Sequence, residues 1–383
     1  MTTTLSDVEQ VFQETLHMPD LGALHAVLAT IAANRMTGDP VWLLLIGPPS
    51  SAKTEMVETL SELPEVFTLS STTKAGLLSG STERGTGGLL MEAGTEFVLV
   101  IKDFTTICSE HASTRNEVLA IFREMFDGKV ERAVGSRGGQ VLKWRGHVGA
   151  IACGTEAIDT VDMAAFGERW VRYRLPPSSD EDRLLMGHTA SKNVGYQQRQ
   201  RLERMQVVTR FFADLSLPSA PPQVSQQDED RLVALADLGT KCRSAVERGG
   251  GKGDEILQVP QPEELPRLLS QLRQVSAGLV AIGVSDPERR RLLSKCAADA
   301  MPSIRRKVID ALVSVDADVA TTAVAAWCSL PETTVRRRLV DLAALGVIDQ
   351  TRSHPERWAA SAWLRDRWAH IASHDQQRTG VLP

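Results

Sequence analysis

A short segment between residues 47 and 54 has the residue types and the spacing that bind phosphate. It reads Gly47, Pro48, Pro49, Ser50, Ser51, Ala52, Lys53 and Thr54, and it fits the pattern G-x-x-x-x-G-K-[ST] with alanine at the second glycine. In this pattern backbone N–H groups face phosphate oxygens, the lysine neutralises the β and γ phosphates, and the threonine hydroxyl ligates Mg²⁺. The segment predicts nucleotide binding, although a chance match in a Gly- and Ser-containing turn is the alternative.

An acidic residue at the end of a later apolar run is the second candidate for this chemistry. A phosphate-loop enzyme needs a carboxylate that holds Mg²⁺ through water and orients the attacking water. The usual two successive acids are replaced here by Lys102 and Asp103. Either Asp103 holds the metal and the catalytic acid is missing, or Asp103 is the catalytic acid and Lys102 has displaced the metal-holding one. A strand-end aspartate that only caps a turn is the third possibility.

Four apolar runs predict the strands that position these residues. They cover residues 41–46, 97–101, 147–153 and 170–175, and the first three stop at Gly47, Lys102 and Gly154. Continuous apolarity is typical of strands that are buried on both faces. Helical patterns precede them in 5–35 and separate them, as in 116–126, so the order of elements predicts an α/β domain with a largely parallel sheet.

These motifs resemble those of the AAA+ ATPases, in the branch that includes the minichromosome maintenance helicases. The resemblance covers roughly residues 20–285. It implies that Thr155 is the sensor 1 residue near the γ-phosphate, that Arg169 is an arginine finger supplied to a neighbouring subunit, and that Arg267 is the sensor 2 arginine of a helical lid. It further implies ATP and Mg²⁺ as cofactors, catalytic roles for Lys53 and Asp103, Mg²⁺ ligation by Thr54 and Asp103, and a homo-oligomer, expected as a hexamer or other ring.

A basic hairpin is predicted between the second and third of these strands. Residues 129–134 and 140–145 alternate apolar and polar types, and a Gly-rich stretch at 135–139 can turn between them. The hairpin resembles the one that related helicases point into a central pore. Its candidate DNA contacts are Arg132, Arg137, Lys143 and Arg145. The alternative is a hairpin that covers the sheet edge with charges that prevent aggregation.

The C-terminal residues resemble a winged helix-turn-helix. Helices are predicted at 303–312, 321–327 and 332–345, with wing strands at 347–349 and 357–359. Residues 332–345 occupy the recognition-helix position, so the DNA candidates there are Arg336, Arg337 and Arg338. From residue 301 onward there are 11 basic and 9 acidic residues, against 32 and 39 in the first 300. The contrast favours a DNA-facing surface, although many winged helices serve only as protein-docking modules.

Composition limits the remaining classes. The 383 residues are 42% apolar and carry a formal net charge of −5, which excludes a uniformly basic nucleic-acid coat. The five cysteines form no CxxC pair, so neither a zinc knuckle nor a disulfide framework is expected, and a reducing compartment fits best. No apolar run approaches the roughly 18 residues of a membrane span, and no export signal is evident. We therefore expect a cytoplasmic protein without a membrane partner.

The expected fold class is α/β: a P-loop NTPase sheet domain of the AAA+ type with a helical lid and a C-terminal winged helix. The expected divisions are N-terminal helices at 1–40, the ATPase core at 41–217, a linker and lid at 218–300, and the winged helix at 301–383. The expected function is an oligomeric ATPase acting on DNA, as a helicase or helicase loader of a phage or mobile element. An ATP-controlled transcriptional regulator and a protein-remodelling ATPase are the alternatives.

Overall fold

A computed structural model describes residues 2–70, 72–73, 76–77, 88–133, 141–160, 169–249 and 255–372. Their packing divides the chain into two compact units. The first contains the described residues of 2–160, 169–222 and 274–286, and the second contains those of 223–273 and 287–372. The segment 218–300, predicted as linker and lid, is thus shared between the units. Within the described part of the chain, no helix is both long and apolar enough to cross a membrane.

The first unit contains the parallel sheet that the apolar runs predict. Its strands are β1 (Trp42–Ile46), β2 (Val66–Leu69), β3 (Glu96–Ile101), β4 (Lys129–Ala133), β5 (Val141–Arg145), β6 (His147–Gly154) and β7 (Val171–Arg174). Five of them pair in parallel in the order β2-β3-β6-β1-β7, and β4 and β5 form the predicted antiparallel hairpin. The α/β class with a parallel sheet is confirmed. Strand β2 was not predicted, because only four residues form it and only its first is buried.

Helices pack around this sheet. In chain order they are α1 (Leu5–Thr15), α2 (Gly22–Asn34), α3 (Lys53–Glu58), α4 (Leu89–Glu92), α5 (Phe104–Ser109), α6 (Ala112–Phe126), α7 (Asp180–Lys192) and α8 (Gln197–Asp214). The predicted helical character of 5–35 is confirmed by α1 and α2. Helix α2 is buried along almost its whole length, as its apolar residues on every face require. Helix α7 is the opposite case, because none of its side chains is buried.

An aromatic cluster seals the sheet against α5 and α6. The ring of Trp42 in β1 lies 4.9 Å from that of Trp170 and 6.0 Å from that of Phe122, measured between centroids. The Trp42 indole N–H donates to the Val148 carbonyl at 2.6 Å, so its one polar group is satisfied. Phe104, which begins α5 directly after Asp103, packs 5.1 Å from Trp170. The segment that follows β3 is therefore fixed by core packing.

The second unit is mainly helical, with two small sheets. Its elements are α9 (Gln226–Arg243), β8 (Glu247–Arg248), β9 (Ile256–Gln258), α10 (Pro266–Ala281, of which 274–281 belong to the first unit), α11 (Asp286–Asp299, whose first residue does too), α12 (Ser303–Val313), β10 (Val319–Ala320), α13 (Thr321–Cys328), α14 (Glu332–Ala344), β11 (Ile348–Ser353), β12 (Glu356–Ala360) and α15 (Ala362–Ala372). The helices predicted at 303–312, 321–327 and 332–345 are confirmed to within one residue. An antiparallel sheet in the order β10-β12-β11 contains both predicted wing strands.

The C-terminal residues share a core and ion pairs with the preceding helices of this unit. Asp237 of α9 accepts from the Trp363 indole at 3.1 Å and from Arg367 at 2.8 Å. The Lys241 ammonium lies 4.1 Å from the centre of the Trp363 ring. Residues 301–372 are therefore part of a larger unit that also includes α9 and most of α11.

A close contact between α2 and the sheet depends on one glycine. The Asn34 side chain at the end of α2 accepts from the Val41 N–H and donates to the Val41 carbonyl, both at 3.0 Å. A Cβ atom on Gly149 of β6 would lie 2.4 Å from the Asn34 amide carbon. Only glycine lets the sheet approach the side chain that aligns the start of β1.

We expect Gly149→Ala to lower the free energy of unfolding by about 1 to 3 kcal/mol, because the new methyl group must displace a hydrogen-bonded amide in a packed interior. Gly187→Ala is the matched control, since Gly187 lies in α7 with nothing within 4 Å of the added Cβ. That change should raise the free energy of unfolding by up to about 1 kcal/mol through helix propensity. Urea denaturation of both variants measures the difference, and equal stability of the two would contradict the packing argument.

Candidate functional site

The predicted phosphate-binding loop connects β1 to α3. Gly47 follows β1 and donates its N–H to the Gly154 carbonyl at 3.1 Å, while Lys53 begins α3. Ser50 and Ala52 both have φ of 61°, in the left-handed region that side chains rarely adopt. Such residues build backbone concavities that bind anions. The loop lies between a strand and a helix, in the order that the sequence predicts, and Ala52 has a conformation that glycine would adopt without strain.

Lys53 is folded across its own loop. Its ammonium donates to the Gly47 carbonyl at 2.8 Å, to the Pro48 carbonyl at 2.6 Å and to the Ser51 hydroxyl at 2.9 Å. The side chain is buried, and this burial lowers the pKa of Lys53 from its usual value. All three N–H donors of the ammonium are therefore bound to oxygens of the loop. An anion bound in the loop would replace these oxygens as the acceptor.

A cavity of about 420 Å³ opens on this loop. Residues 50–55 line one side of it, and His17 lines another. Met186 and Asn193, in and just after α7, form a third side. A narrower cavity of about 60 Å³ adjoins it and includes the apolar side chains of Met18 and Leu175. Small-molecule sites of this size commonly combine an apolar lining with a few polar groups.

Polar contacts with the end of α1 and the residues after it hold α7 beside this cavity. The His17 imidazole lies 3.0 Å from a carboxylate oxygen of Asp182, and the Asn193 amide donates to the Thr15 carbonyl at 2.8 Å. Hydrogen bonds from His17 and Ser179 lower the pKa of Asp182. The wall that α7 forms is thus not anchored by apolar burial.

Asp103 and Thr155 lie at the strand ends, as predicted. Asp103 caps α5 and accepts from the Thr106 N–H at 3.2 Å and from the Thr106 hydroxyl at 2.5 Å. Thr155 donates its N–H to the Thr105 hydroxyl at 2.9 Å. Asp103 borders a separate cavity of about 330 Å³ that also includes His111. The hydrogen bonds of Asp103 are those of the capping alternative.

A chain of ion pairs that the sequence did not reveal lies beside the loop. Glu55 and Glu58 extend from α3, and the Lys102 ammonium lies 3.2 Å from Glu58. Arg201 of α8 lies 2.6 Å from one Glu55 oxygen and 3.2 Å from Glu58. Arg204 contacts the second Glu55 oxygen. Burial alone would raise the pKa of Glu55, but hydrogen bonds and charges from the two arginines hold it below its usual value.

The two arginines assigned by the family resemblance have partners within their own chain. Arg169 makes bonds of 3.0 and 2.9 Å to the carboxylate of Asp127, and its guanidinium lies 5.5 Å from the centre of the Phe126 ring. Arg267 lies in the second unit and pairs with Glu263 at 3.3 Å. Neither lines the cavity at the loop.

The base of the predicted basic hairpin is packed on the core. Val130 of β4 lies opposite Trp144 of β5, both are buried, and the Trp144 indole donates to the Gly94 carbonyl at 2.8 Å. Lys143 and Arg145 alternate with Trp144 and are exposed. The side chain of Arg132, the whole of Arg137 and the predicted turn lie outside the described residues.

The three arginines of α14 differ in their surroundings. Arg336 pairs with Glu356 of β12 at 2.7 Å, Arg338 pairs with Asp341 at 3.0 Å, and Arg337 is exposed. Asp341 is buried, and Arg248 of β8 lies 2.6 Å from it and Arg305 of α12 lies 3.7 Å from it. The predicted recognition helix is therefore held by a carboxylate that three arginines surround.

The left-handed conformation of Ala52 gives a direct test of the loop. Ala52→Gly should leave the free energy of unfolding within about 1 kcal/mol of wild type, because relief of the steric penalty is offset by the freer unfolded chain. Ala52→Val should lower it by about 1 to 3 kcal/mol, because a β-branched residue is strained at positive φ. Chemical denaturation compares the variants, and a Val variant as stable as the Gly variant would rule this loop conformation out.

In the described part of the chain, no group of three or more His, Cys, Asp or Glu side chains is arranged to hold a metal ion. The hydroxyl-bearing residue expected to ligate Mg²⁺, Thr54, is exposed and lines the cavity at the loop.

Comparison of the chain with models of known protein families and with curated proteins gives no match.

Proposed function

We propose that the first unit binds ATP with Mg²⁺ and hydrolyses it. The observation that carries this proposal is the cavity of about 420 Å³ that opens directly onto the loop from Ser50 to Thr54. A left-handed backbone, a buried lysine and an exposed threonine hydroxyl meet on one side of that cavity. Their chemistry fits a nucleotide polyphosphate better than it fits an apolar ligand.

Oxygens of the triphosphate would replace the loop oxygens that now accept hydrogen bonds from the Lys53 ammonium. An ammonium exchanges neutral carbonyl acceptors for charged phosphate oxygens, and such charge-assisted hydrogen bonds are the stronger ones. The base would lie in the cavity of about 420 Å³, against Met186, because the adjoining cavity of about 60 Å³ is too small for it. Thr54 would hold Mg²⁺, which when bound neutralises charge on the transferred phosphoryl group.

The orientation of Lys102 bears on the role of Asp103. Lys102 contacts Glu58, on the same short helix as Thr54, so it faces the side on which a metal-holding acid is needed. This favours the alternative in which Lys102 has displaced that acid and Asp103 is the catalytic one. To orient water, the Asp103 carboxylate would exchange its Thr106 contacts, with Thr155 as the neighbouring polar residue.

We further propose that the chain is an AAA+ ATPase that assembles into a hexamer or other ring. The parallel sheet, with the loop between β1 and α3, is compatible with an ATPase of this kind. A role of Arg169 in a neighbouring subunit requires its release from Asp127, and a role of Arg267 requires its release from Glu263. Leu184 and Leu185 of α7 are 67% and 43% exposed, so apolar surface is present that a second copy of the chain could cover.

DNA is the partner we propose for the second unit and for the exposed Lys143 and Arg145 of the first unit's hairpin. Support comes from the element order α12, β10, α13, α14, β11, β12 and from its three-stranded antiparallel sheet, which fit a winged helix-turn-helix with α14 as recognition helix. Together with ATP hydrolysis by the first unit, DNA binding by the second unit would make the protein a helicase or helicase loader. An ATP-controlled regulator is the second candidate, because Asp103 acts as a helix cap and Lys102 stands where an acid is usual.

Two substitutions separate ATP binding from hydrolysis. Lys53→Ala should abolish the rise in melting temperature that MgATP produces, because the phosphate-binding charge is lost. Asp103→Asn should keep that rise but slow phosphate release at least about tenfold, because asparagine still caps α5 while the carboxylate is lost. Lys192→Ala, on the exposed face of α7, is the control. Wild-type turnover by the Lys53 variant would rule out the proposed site.

Salt-dependent binding tests the proposed DNA contacts. Fluorescence anisotropy with labelled single- and double-stranded DNA should show affinity falling with salt, because bound phosphates release counterions. Lys143→Ala and Arg145→Ala should each reduce the salt slope by about one unit, and Arg337→Ala should do so for duplex DNA. Arg273→Ala, an exposed partner of Glu229, should change neither. Absence of salt-dependent binding by the wild-type protein, with or without ATP, would exclude the DNA proposal.

A further inference from the structure

We propose that Arg201 is a second phosphate-binding cation of the nucleotide cavity. In this structure Glu55 and Glu58 hold its guanidinium, and a polyphosphate bound on the loop would draw it away from them. The inference rests on the proposed nucleotide site. It adds Arg201 of α8, a residue that lies 146 positions from Glu55 and that no sequence motif indicates.

Among the cations beside the loop, Arg201 is the one that neither carboxylate needs as its partner. Glu55 and Glu58 are two carboxylates, and among the described residues three cations contact them. Each acid keeps a partner if Arg201 leaves, since Glu55 retains Arg204 and Glu58 retains Lys102. Transfer of Arg201 to another anion therefore leaves no carboxylate uncompensated, which would otherwise oppose the movement.

Exposure separates the two arginines into a fixed and a movable one. The side chain of Arg204 is 3% exposed, whereas that of Arg201 is 43% exposed. A buried guanidinium cannot leave its carboxylate without a large desolvation penalty. An exposed pair is weak, because water competes for both partners and the long side chain gains freedom on release. Arg204 is therefore the permanent partner of Glu55, and Arg201 is free to exchange.

The position of Glu55 places Arg201 within reach of the phosphates. Glu55 follows Thr54 directly and lines the same cavity, and an Arg201 nitrogen lies 2.6 Å from it. Phosphate brought to Lys53 and Thr54 would repel the Glu55 carboxylate and attract the adjacent guanidinium. The planar fork of Arg201 already contacts both Glu55 oxygens, through Nε at 3.4 Å and through a terminal nitrogen at 2.6 Å, and two phosphate oxygens fit the same fork.

The consequence is a link between the loop and α8. When Arg201 binds phosphate, α8 contacts the ligand directly. Without the ligand, Arg201 contacts Glu55 and Glu58 of α3 instead. Arg201 would then be a ligand-binding residue from an element that the sequence places far from the motif.

A double-mutant cycle tests this role by calorimetry with inorganic tripolyphosphate and with MgATP. Arg201→Ala should weaken binding of both ligands about tenfold. Glu55→Gln should strengthen binding of both, because it removes a negative charge and releases Arg201, while the Gln amide oxygen still accepts from buried Arg204. The melting temperature of the Gln variant without ligand checks that it stays folded. In the Glu55→Gln background, Arg201→Ala should still weaken binding about tenfold. Arg201→Lys should recover part of the loss, since it keeps the charge without the fork. Arg199→Ala, two residues away and paired with Glu203, should bind as wild type does.

Three results would overturn the inference. If Arg201→Ala binds tripolyphosphate as tightly as wild type, Arg201 is not a ligand-binding residue, while the nucleotide site itself stands. If the loss disappears in the Glu55→Gln background, Arg201 only screens Glu55. If the melting temperature of Arg201→Ala without ligand falls well below that of Arg199→Ala, the effect is structural. Failure of the wild-type protein to bind either ligand would instead remove the proposed function together with this inference.

Discussion

The parallel register of β1, β3 and β6 determines where every strand-end candidate of the first unit lies. Ile46 is paired with Gly154, and Ile101 is paired with Ala152, so the three strands end at one edge of the sheet. The phosphate-binding loop and Asp103 leave the sheet at that edge for this reason. A shift of one residue in any pairing would turn the following side chains to the other face. The contact of Gly149 with Asn34 and the indole bond of Trp42 both act on this alignment.

Each unit has a charge cluster in which the described cations outnumber the carboxylates. Glu55 is shared by Arg201 and Arg204, and Asp341 is surrounded by three arginines. Each cluster lies beside a surface that the sequence predicts to meet phosphate, at the loop in one unit and at α14 in the other. Surplus cations near a surface create a local positive potential even in a chain of net charge −5. The total charge therefore says little about either surface.

The sequence predicted the features that depend on local patterns. The loop, four sheet strands, the hairpin strands and the C-terminal helices all have strong apolar periodicity or a motif of fixed spacing. Strand β2 and the strands β8, β9 and β10 are too short to produce such a pattern. The partners of Glu55 could not be predicted, because ion pairs across 146 residues depend on tertiary packing. The burial of Lys53 and the hydrogen bonds of Asp103 likewise depend on how the loop and α5 close.

Helix α7 has a further consequence for how the protein would respond to a ligand. Because none of its side chains is buried, its opening exposes little apolar surface, and its backbone amides should exchange with solvent at a free energy far below that of global unfolding. The helix also forms one wall of the cavity at the loop. A ligand that contacts this wall would slow amide exchange there more than anywhere in the sheet, where protection is already high. Deuterium uptake along residues 180–192 would thus report occupancy of the cavity without any change in the core.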